Sequence, residues 1–144
     1  MIIKVIKLDP QAILPQYMTP GSSGCDAYAC LQSPLTILPR QRMAIPTGLA
    51  FEIPAEFEIQ VRPRSGLSFK QGLTVVNAPG TIDSDYRGEV KILVVHLGEE
   101  PLTIEPGTRI AQLVLQKVER IQWSVVPSLS QSSREDGGFG STGH

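Results

Sequence analysis

An all-β architecture is the fold class this sequence predicts: a jelly-roll-like distorted β-barrel with one short helix and a flexible C-terminal tail. Three features point to it. Twelve prolines run from Pro10 to Pro127 and leave few windows wide enough for a three-turn helix. Phe57-Glu58-Ile59-Gln60-Val61-Arg62 alternates apolar and polar residues with period two, the pattern of a half-buried strand. Turn residues recur at short intervals, which suits many short strands packed as a sandwich or barrel.

Taken in order, the predicted strands are 2–8, 35–38, 43–51, 57–62, 73–76, 90–96 and 109–118. Pro39-Arg40, Ile53-Pro54, Ala78-Pro79-Gly80, Leu97-Gly98 and Glu105-Pro106-Gly107 separate them. The helix is placed at Ser65–Gly72, with Ser65 as cap and Gly72 ending it in a left-handed conformation. A hairpin is expected at 77–89, where Asn, Pro, Gly and Asp cluster. Beyond Pro127 the character changes. Residues 128–144 hold six Ser or Thr and four Gly, with Leu129 and Phe139 as the only large apolar side chains. Such a segment does not bury enough surface to order itself. The expected organisation is therefore a barrel domain over 1–126 and a tail over 127–144.

A chain of 144 residues fits one domain that buries roughly 68–70% of its unfolded surface without staples. The net charge of −1 argues against nucleic-acid or membrane-surface binding, which would want a basic excess. Lysines at 4 and 7 interrupt the N-terminal apolar run too early for a signal peptide, and no stretch approaches the ~20 apolar residues of a membrane helix. Cys25 and Cys30 lack metal-ligand spacing and read as free thiols, so a reducing, cytoplasmic compartment is expected.

Four segments carry candidate chemistry. Arg62-Pro63-Arg64-Ser65-Gly66 sets two arginines before a helix start, a combination suited to phosphate, although an arginine at a strand end is often only solvated. The stretch 77–89 brings Asp83 and Asp85 beside Tyr86 and Arg87; a carboxylate there activates water if it stands in a pocket, and otherwise decorates a solvated hairpin. Arg109 and Gln112 interrupt an apolar strand and need partners, either structural or in a ligand. Gly137 to Gly143 offers backbone N–H groups and hydroxyls to an anion. Its spacing is not that of a P-loop, because His144 stands where lysine belongs; the bland alternative is a solvated linker.

Taken together and in this order, the segments resemble the trimeric dUTPase (deoxyuridine 5'-triphosphate nucleotidohydrolase) family. Ser23-Gly24-Cys25-Asp26-Ala27-Tyr28 is similar to its first motif, Arg64-Ser65-Gly66-Leu67 to its second and Gly80-Thr81-Ile82-Asp83-Ser84-Asp85-Tyr86-Arg87-Gly88 to its third. Arg109-Ile110-Ala111-Gln112-Leu113 is similar to the fourth, and Arg134 with 137–143 to the fifth. Ser23 and Ala27 depart from the usual Ala and Leu of the first motif. The resemblance implies Mg²⁺-dependent hydrolysis of dUTP to dUMP and pyrophosphate by a homotrimer with sites at subunit interfaces. It implies Asp83 as the base for the attacking water and Asn77 with the backbone of Gly80, Thr81 and Ile82 as readers of uracil. A site that hydrogen-bonds the uracil edge rejects cytosine, whose polarity is reversed there. Tyr86 is implied as the wall against a 2′-hydroxyl. Arg64, Ser65, Gly66, Gln112 and Arg134 are implied to hold the triphosphate, with Gly140, Ser141 and Thr142 joining and Phe139 stacking on the base. Asp26 is implied to act on the metal through water or by pairing with the phosphate-side arginines.

Two rivals remain in view. dCTP deaminase shares the fold, but its catalytic glutamate would fall at 93, where this chain has Leu93. A non-catalytic nucleotide-binding module is the other, and the retention of Asp83 with a full tail argues against it.

Overall fold

The alternation at 57–62 is realised as a strand with Ile59 and Val61 in the core and its polar residues half-buried. The computed structural model describes residues 1–137. In chain order these form β1 (Lys4–Lys7), β2 (Cys25–Tyr28), β3 (Leu35–Ile37), β4 (Arg42–Pro46), β5 (Leu49–Glu52), β6 (Phe57–Arg62), α1 (Ser65–Gln71), β7 (Leu73–Val75), β8 (Gly80–Ile82), β9 (Lys91–His96), β10 (Leu102–Ile104) and β11 (Arg109–Lys117). The expected all-β architecture with one short helix is what the chain adopts.

The strands form a four-stranded sheet in the order β2-β11-β6-β8, a three-stranded sheet β4-β9-β7, and two ladders, β1-β5 and β10-β3. Every pairing is antiparallel. The sheets stay separate, so no closed barrel forms among the described residues. Their apolar faces share one core, in which Ile37, Ile45, Leu49, Leu73, Ile92 and Ile104 are fully enclosed. No buried side-chain nitrogen or oxygen among the described residues lacks a hydrogen-bond partner, as a well-formed interior requires.

Several local expectations are corrected. The strand expected at 43–51 is two strands, because Gly48 takes a φ of 67°, a left-handed conformation that breaks an extended run. Gly48 N–H donates to Glu89 Oε1 at 3.0 Å and Thr47 Oγ1 to the Val90 carbonyl at 2.6 Å, fixing that corner. After it the chain leaves β9 and pairs with β1. β2, β8 and β10 were not anticipated; three or four residues show too little period to be read.

The hairpin expected at 77–89 is instead an excursion between sheets. β7 and β9 are paired neighbours, with Leu73 opposite His96, but their connection crosses to β6. There Gly80 lies opposite Val61 and Ile82 opposite Ile59. Ile82 is buried by that pairing, a gain a free-standing hairpin would forgo. The short helix is observed, and Gly72 (φ 67°) closes it by donating its N–H to the Leu67 and Ser68 carbonyls. Ser65 is its first residue and not its cap: Arg64 holds the cap position, without a side-chain capping bond.

Candidate active site

Two cavities collect most of the candidate residues. The first, of about 430 Å³, opens along β8 and is lined by Asn77, Gly80, Thr81, Ile82, Asp83 and Tyr86, together with Glu89, Lys91 and Leu93. β8 is the last strand of its sheet. One edge therefore bonds β6, while along the other alternate N–H and C=O groups have no strand partner among the described residues. Neither Gly80, Thr81 nor Ile82 makes any backbone bond outside the ladder. A planar ligand with its own row of donors and acceptors can complete such an edge.

Each side chain here has a local reason for its place. A Cβ at Gly80 would lie 3.2 Å from both Asn77 Nδ2 and Val61 Cβ. The bare glycine thus lets the Asn77 amide come down onto the strand. Asp83 follows β8 directly and starts a turn in which Tyr86 N–H donates to the Asp83 carbonyl at 3.2 Å. Its carboxylate is exposed and makes no side-chain hydrogen bond or ion pair among the described residues. The Tyr86 hydroxyl donates to the Glu89 carbonyl at 2.9 Å. Arg87 Nη1 donates to the carbonyls of Ser84 and Tyr86 at 2.7 and 3.0 Å, tying the turn.

The second cavity, of about 350 Å³, is lined by Ser23, Gly24, Asp26, Arg64, Ser65, Gly66, Arg109 and Gln112. Asp26 is its hub. This buried carboxylate meets Arg64 Nε at 3.2 Å through Oδ1 and Arg109 Nη1 at 3.1 Å through Oδ2. Arg64 Nη1 also donates to the Arg109 carbonyl at 3.0 Å, and Gln112 Nε2 to the Pro63 carbonyl at 3.0 Å. Burial pushes the neighbouring Cys25 thiol up from its ordinary pKa; its backbone hydrogen bond opposes this and the Asp26 charge adds to it. Burial raises Cys30 as well, helped by Asp9 and Glu89.

A register shift in β11 explains why Arg109 and Gln112 share this cavity. Arg109 pairs with Tyr28 and Ala111 with Ala27, so Ile110 is an extra residue in the ladder. In a regular strand, residues three apart face opposite sides; one extra residue restores a common face. Gly24 supplies the remaining room, since a Cβ there would come within 2.5 Å of Gln112 Oε1.

The two cavities have no lining residue in common. One chain thus keeps Asn77, Asp83 and Tyr86 apart from Arg64, Ser65, Gly66 and Gln112. Arg134 joins neither group: its Nε donates to the Gly137 carbonyl at 2.7 Å within the exposed tail. Phe139, Gly140, Ser141 and Thr142 lie outside the described residues. The sequence leaves Arg109 in need of a partner and gives Asp26 arginines only through the family resemblance; the pairing of these two residues is supplied by the β2–β11 ladder. Among the described residues no three His, Cys, Asp or Glu gather to hold a metal ion, and no helix is long and apolar enough to cross a membrane.

Comparison with known proteins bears on this arrangement. The family model for dUTPase matches residues 10–143. The deoxyuridine 5'-triphosphate nucleotidohydrolase of Bdellovibrio bacteriovorus is 54% identical over 144 residues, 99% of this chain and 97% of that protein. The protein of the same name from Rickettsia felis is 49% identical over 142 residues, 98% and 96% of the two chains. Among solved structures, the Staphylococcus bacteriophage 80alpha dUTPase with dUPNHPP superposes with a TM-score of 0.88 at 25% identity, covering 99% of each chain. The dUTPase of S. aureus phage phi11, described with a coordinated structural Mg(II) ion, shares the fold at a TM-score of 0.78 and 20% identity. With sequence likeness running nearly end to end and the same overall fold, the chain belongs to the dUTPase family.

Proposed function

We propose that the chain hydrolyses dUTP to dUMP and pyrophosphate, with Asp83 as general base. The observation that carries this reading is the free edge of β8 with an unpaired carboxylate at its end and Tyr86 beside it. Uracil completes that edge: a backbone N–H faces O4, a backbone carbonyl accepts from N3–H, and the Asn77 amide closes the row. Cytosine presents the opposite polarity and leaves these groups unpaired, at about 1–3 kcal/mol for each. The Tyr86 ring lies against the deoxyribose and leaves no room for a 2′-hydroxyl.

Water bound to Asp83 attacks the α-phosphorus; the carboxylate takes its proton, the α-phosphorus–bridging-oxygen bond breaks, and pyrophosphate leaves with the electron pair. Arg64, Ser65, Gly66 and Gln112 grip the triphosphate, joined by Arg134 and by Phe139, Gly140, Ser141 and Thr142 of the tail. Both Asp26 oxygens already face arginines, and the described residues offer no cluster of metal ligands. That donor set does not fit a resident divalent ion, so magnesium enters as part of the substrate, Mg·dUTP, whose phosphate charge it offsets. Asp26 acts by holding Arg64 and Arg109.

The separation of the two cavities supports a homotrimer in which one subunit's Asp83 cavity meets a neighbour's phosphate cavity. A cytoplasmic enzyme of this kind would supply dUMP for thymidylate synthesis and keep uracil out of DNA. Position 93, where the deaminase reading needs a glutamate, holds Leu93, an apolar residue of the first cavity's lining. Pyrophosphate release from dUTP, with dCTP and UTP as controls, is the test, together with a solution mass. Release of ammonia from dCTP, or binding without turnover, would overturn the proposal.

A further inference from the structure

We infer that Gly88 is a positioning residue for sugar selection: because position 88 has no side chain, the Tyr86 ring can fold back over the turn and stand along the cavity. The inference rests on the dUTPase reading of that cavity and adds to it a residue that touches no substrate.

A Cβ built on Gly88 would collide with Tyr86 Oη and lie 2.7 Å from Cζ and 3.0 Å from Cε2. Real Cβ atoms do not approach that closely, so an alanine forces something to move. Backbone conformation does not explain the glycine, since the positive-φ glycines of the described chain are Gly48, Gly72 and Gly107. The three heavy atoms nearest that Cβ position all belong to the Tyr86 side chain. Tyr86 is held at both ends: its hydroxyl donates to the Glu89 carbonyl, and its backbone N–H donates to the Asp83 carbonyl. Arg87 grips the turn carbonyls of Ser84 and Tyr86, so the backbone is held more firmly than the two ring torsions. An added methyl therefore displaces the ring before it displaces the turn. Asn77 and β8 line the same cavity, but β8 is held there by its ladder with β6 and not by that ring.

The experiment compares kcat/KM for dUTP, UTP and dCTP in the wild type, Gly88→Ala, Tyr86→Ala and the double variant. Gly21→Ala serves as control, because a Cβ at Gly21 meets nothing within 4 Å. In Gly88→Ala the preference for dUTP over UTP should fall roughly 10-fold or more, the scale set by one lost steric contact. Its preference over dCTP should hold. The double variant should match Tyr86→Ala alone, since removing the ring removes the group that the added methyl would strike. Unchanged sugar selectivity in Gly88→Ala, equal loss of both selectivities, or additive losses in the double variant would each overturn the inference. If Gly88→Ala does not fold, recovery of folding in the double variant supports the ring contact, and failure to recover it overturns it. A wild-type chain that releases no pyrophosphate from dUTP would refute the dUTPase reading itself, a result distinct from any of these.

Discussion

Two carboxylates stand in opposite surroundings, and their surroundings separate their roles. Asp83 is exposed at the end of β8 with no side-chain partner among the described residues, free to meet water. Asp26 is buried between Arg64 and Arg109 and has no oxygen to spare. Asp83→Asn should lower turnover by about 10²–10⁴, the usual contribution of a positioned base, while a non-hydrolysable dUTP analogue still binds. Near-normal kcat in that variant would end the assignment. Asp26→Asn leaves two guanidinium groups facing each other without their shared counter-charge. The expected cost is about 1–3 kcal/mol, below that of a fully enclosed pair because both arginines keep contact with solvent. Arg64 also loses its orientation, so KM for dUTP should rise. Denaturant unfolding and steady-state kinetics on the same variant check both effects.

At the scale of elements, the second cavity depends on a seven-residue helix that fully buries none of its own residues. Half-buried Leu67 packs α1 against the core and Ser68 Oγ donates to the Leu73 carbonyl at 3.1 Å, while Gly72 is the more exacting of its ends. Its φ of 67° and a Cβ that would lie 2.9 Å from the Leu97 carbonyl carbon and 3.0 Å from Gly98 Cα leave alanine no comfortable position. Gly72→Ala should cost about 1–2 kcal/mol from the left-handed backbone, before any clash is counted. The loss should appear as a lower Tm with little change in far-UV circular dichroism, since so few residues are helical. An unchanged Tm would mean that the loop at 97–98 gives way freely. β11 shows the complementary device, a single extra residue at Ile110 that turns Arg109 toward the cavity of Gln112.

At the scale of the whole molecule, the two cavities have separate linings, and none of residues 128–137 belongs to either. Residues 128–136 are exposed throughout. Truncation after Pro127 should therefore leave Tm nearly unchanged while turnover falls sharply, because the groups proposed to exclude water and close on phosphate are removed. A large fall in Tm would mean that the tail is structural. Seventeen residues beyond Pro127 span up to roughly 55 Å when extended, enough to cross a subunit boundary. Mixing the truncated chain with Asp83→Asn should then restore activity once subunits exchange. The truncated subunit still carries Asp83, and the other still carries a whole tail. Exchange shown by mass without recovered dUTP hydrolysis would place the tail on its own subunit.

What the sequence determined by itself is what neighbours along the chain encode. Period two at 57–62, proline spacing and the Ser65–Gly72 segment were enough for the all-β class, the one helix and its glycine end. Five short segments in order were enough for the family. Tertiary structure decided what depends on edges and register. β8 is three residues long and shows no readable period; it exists because β6 has a free edge and Ile82 gains burial there. The corner at Gly48 sends one apolar run into two ladders, and nothing in that run says which edge each half will meet. The pairing of Asp26 with Arg109 crosses 83 positions, and it requires a one-residue register shift that leaves composition and spacing untouched. A single extra residue reverses the face on which every later side chain stands, so the cavity is set by strand pairing and not by the residues alone.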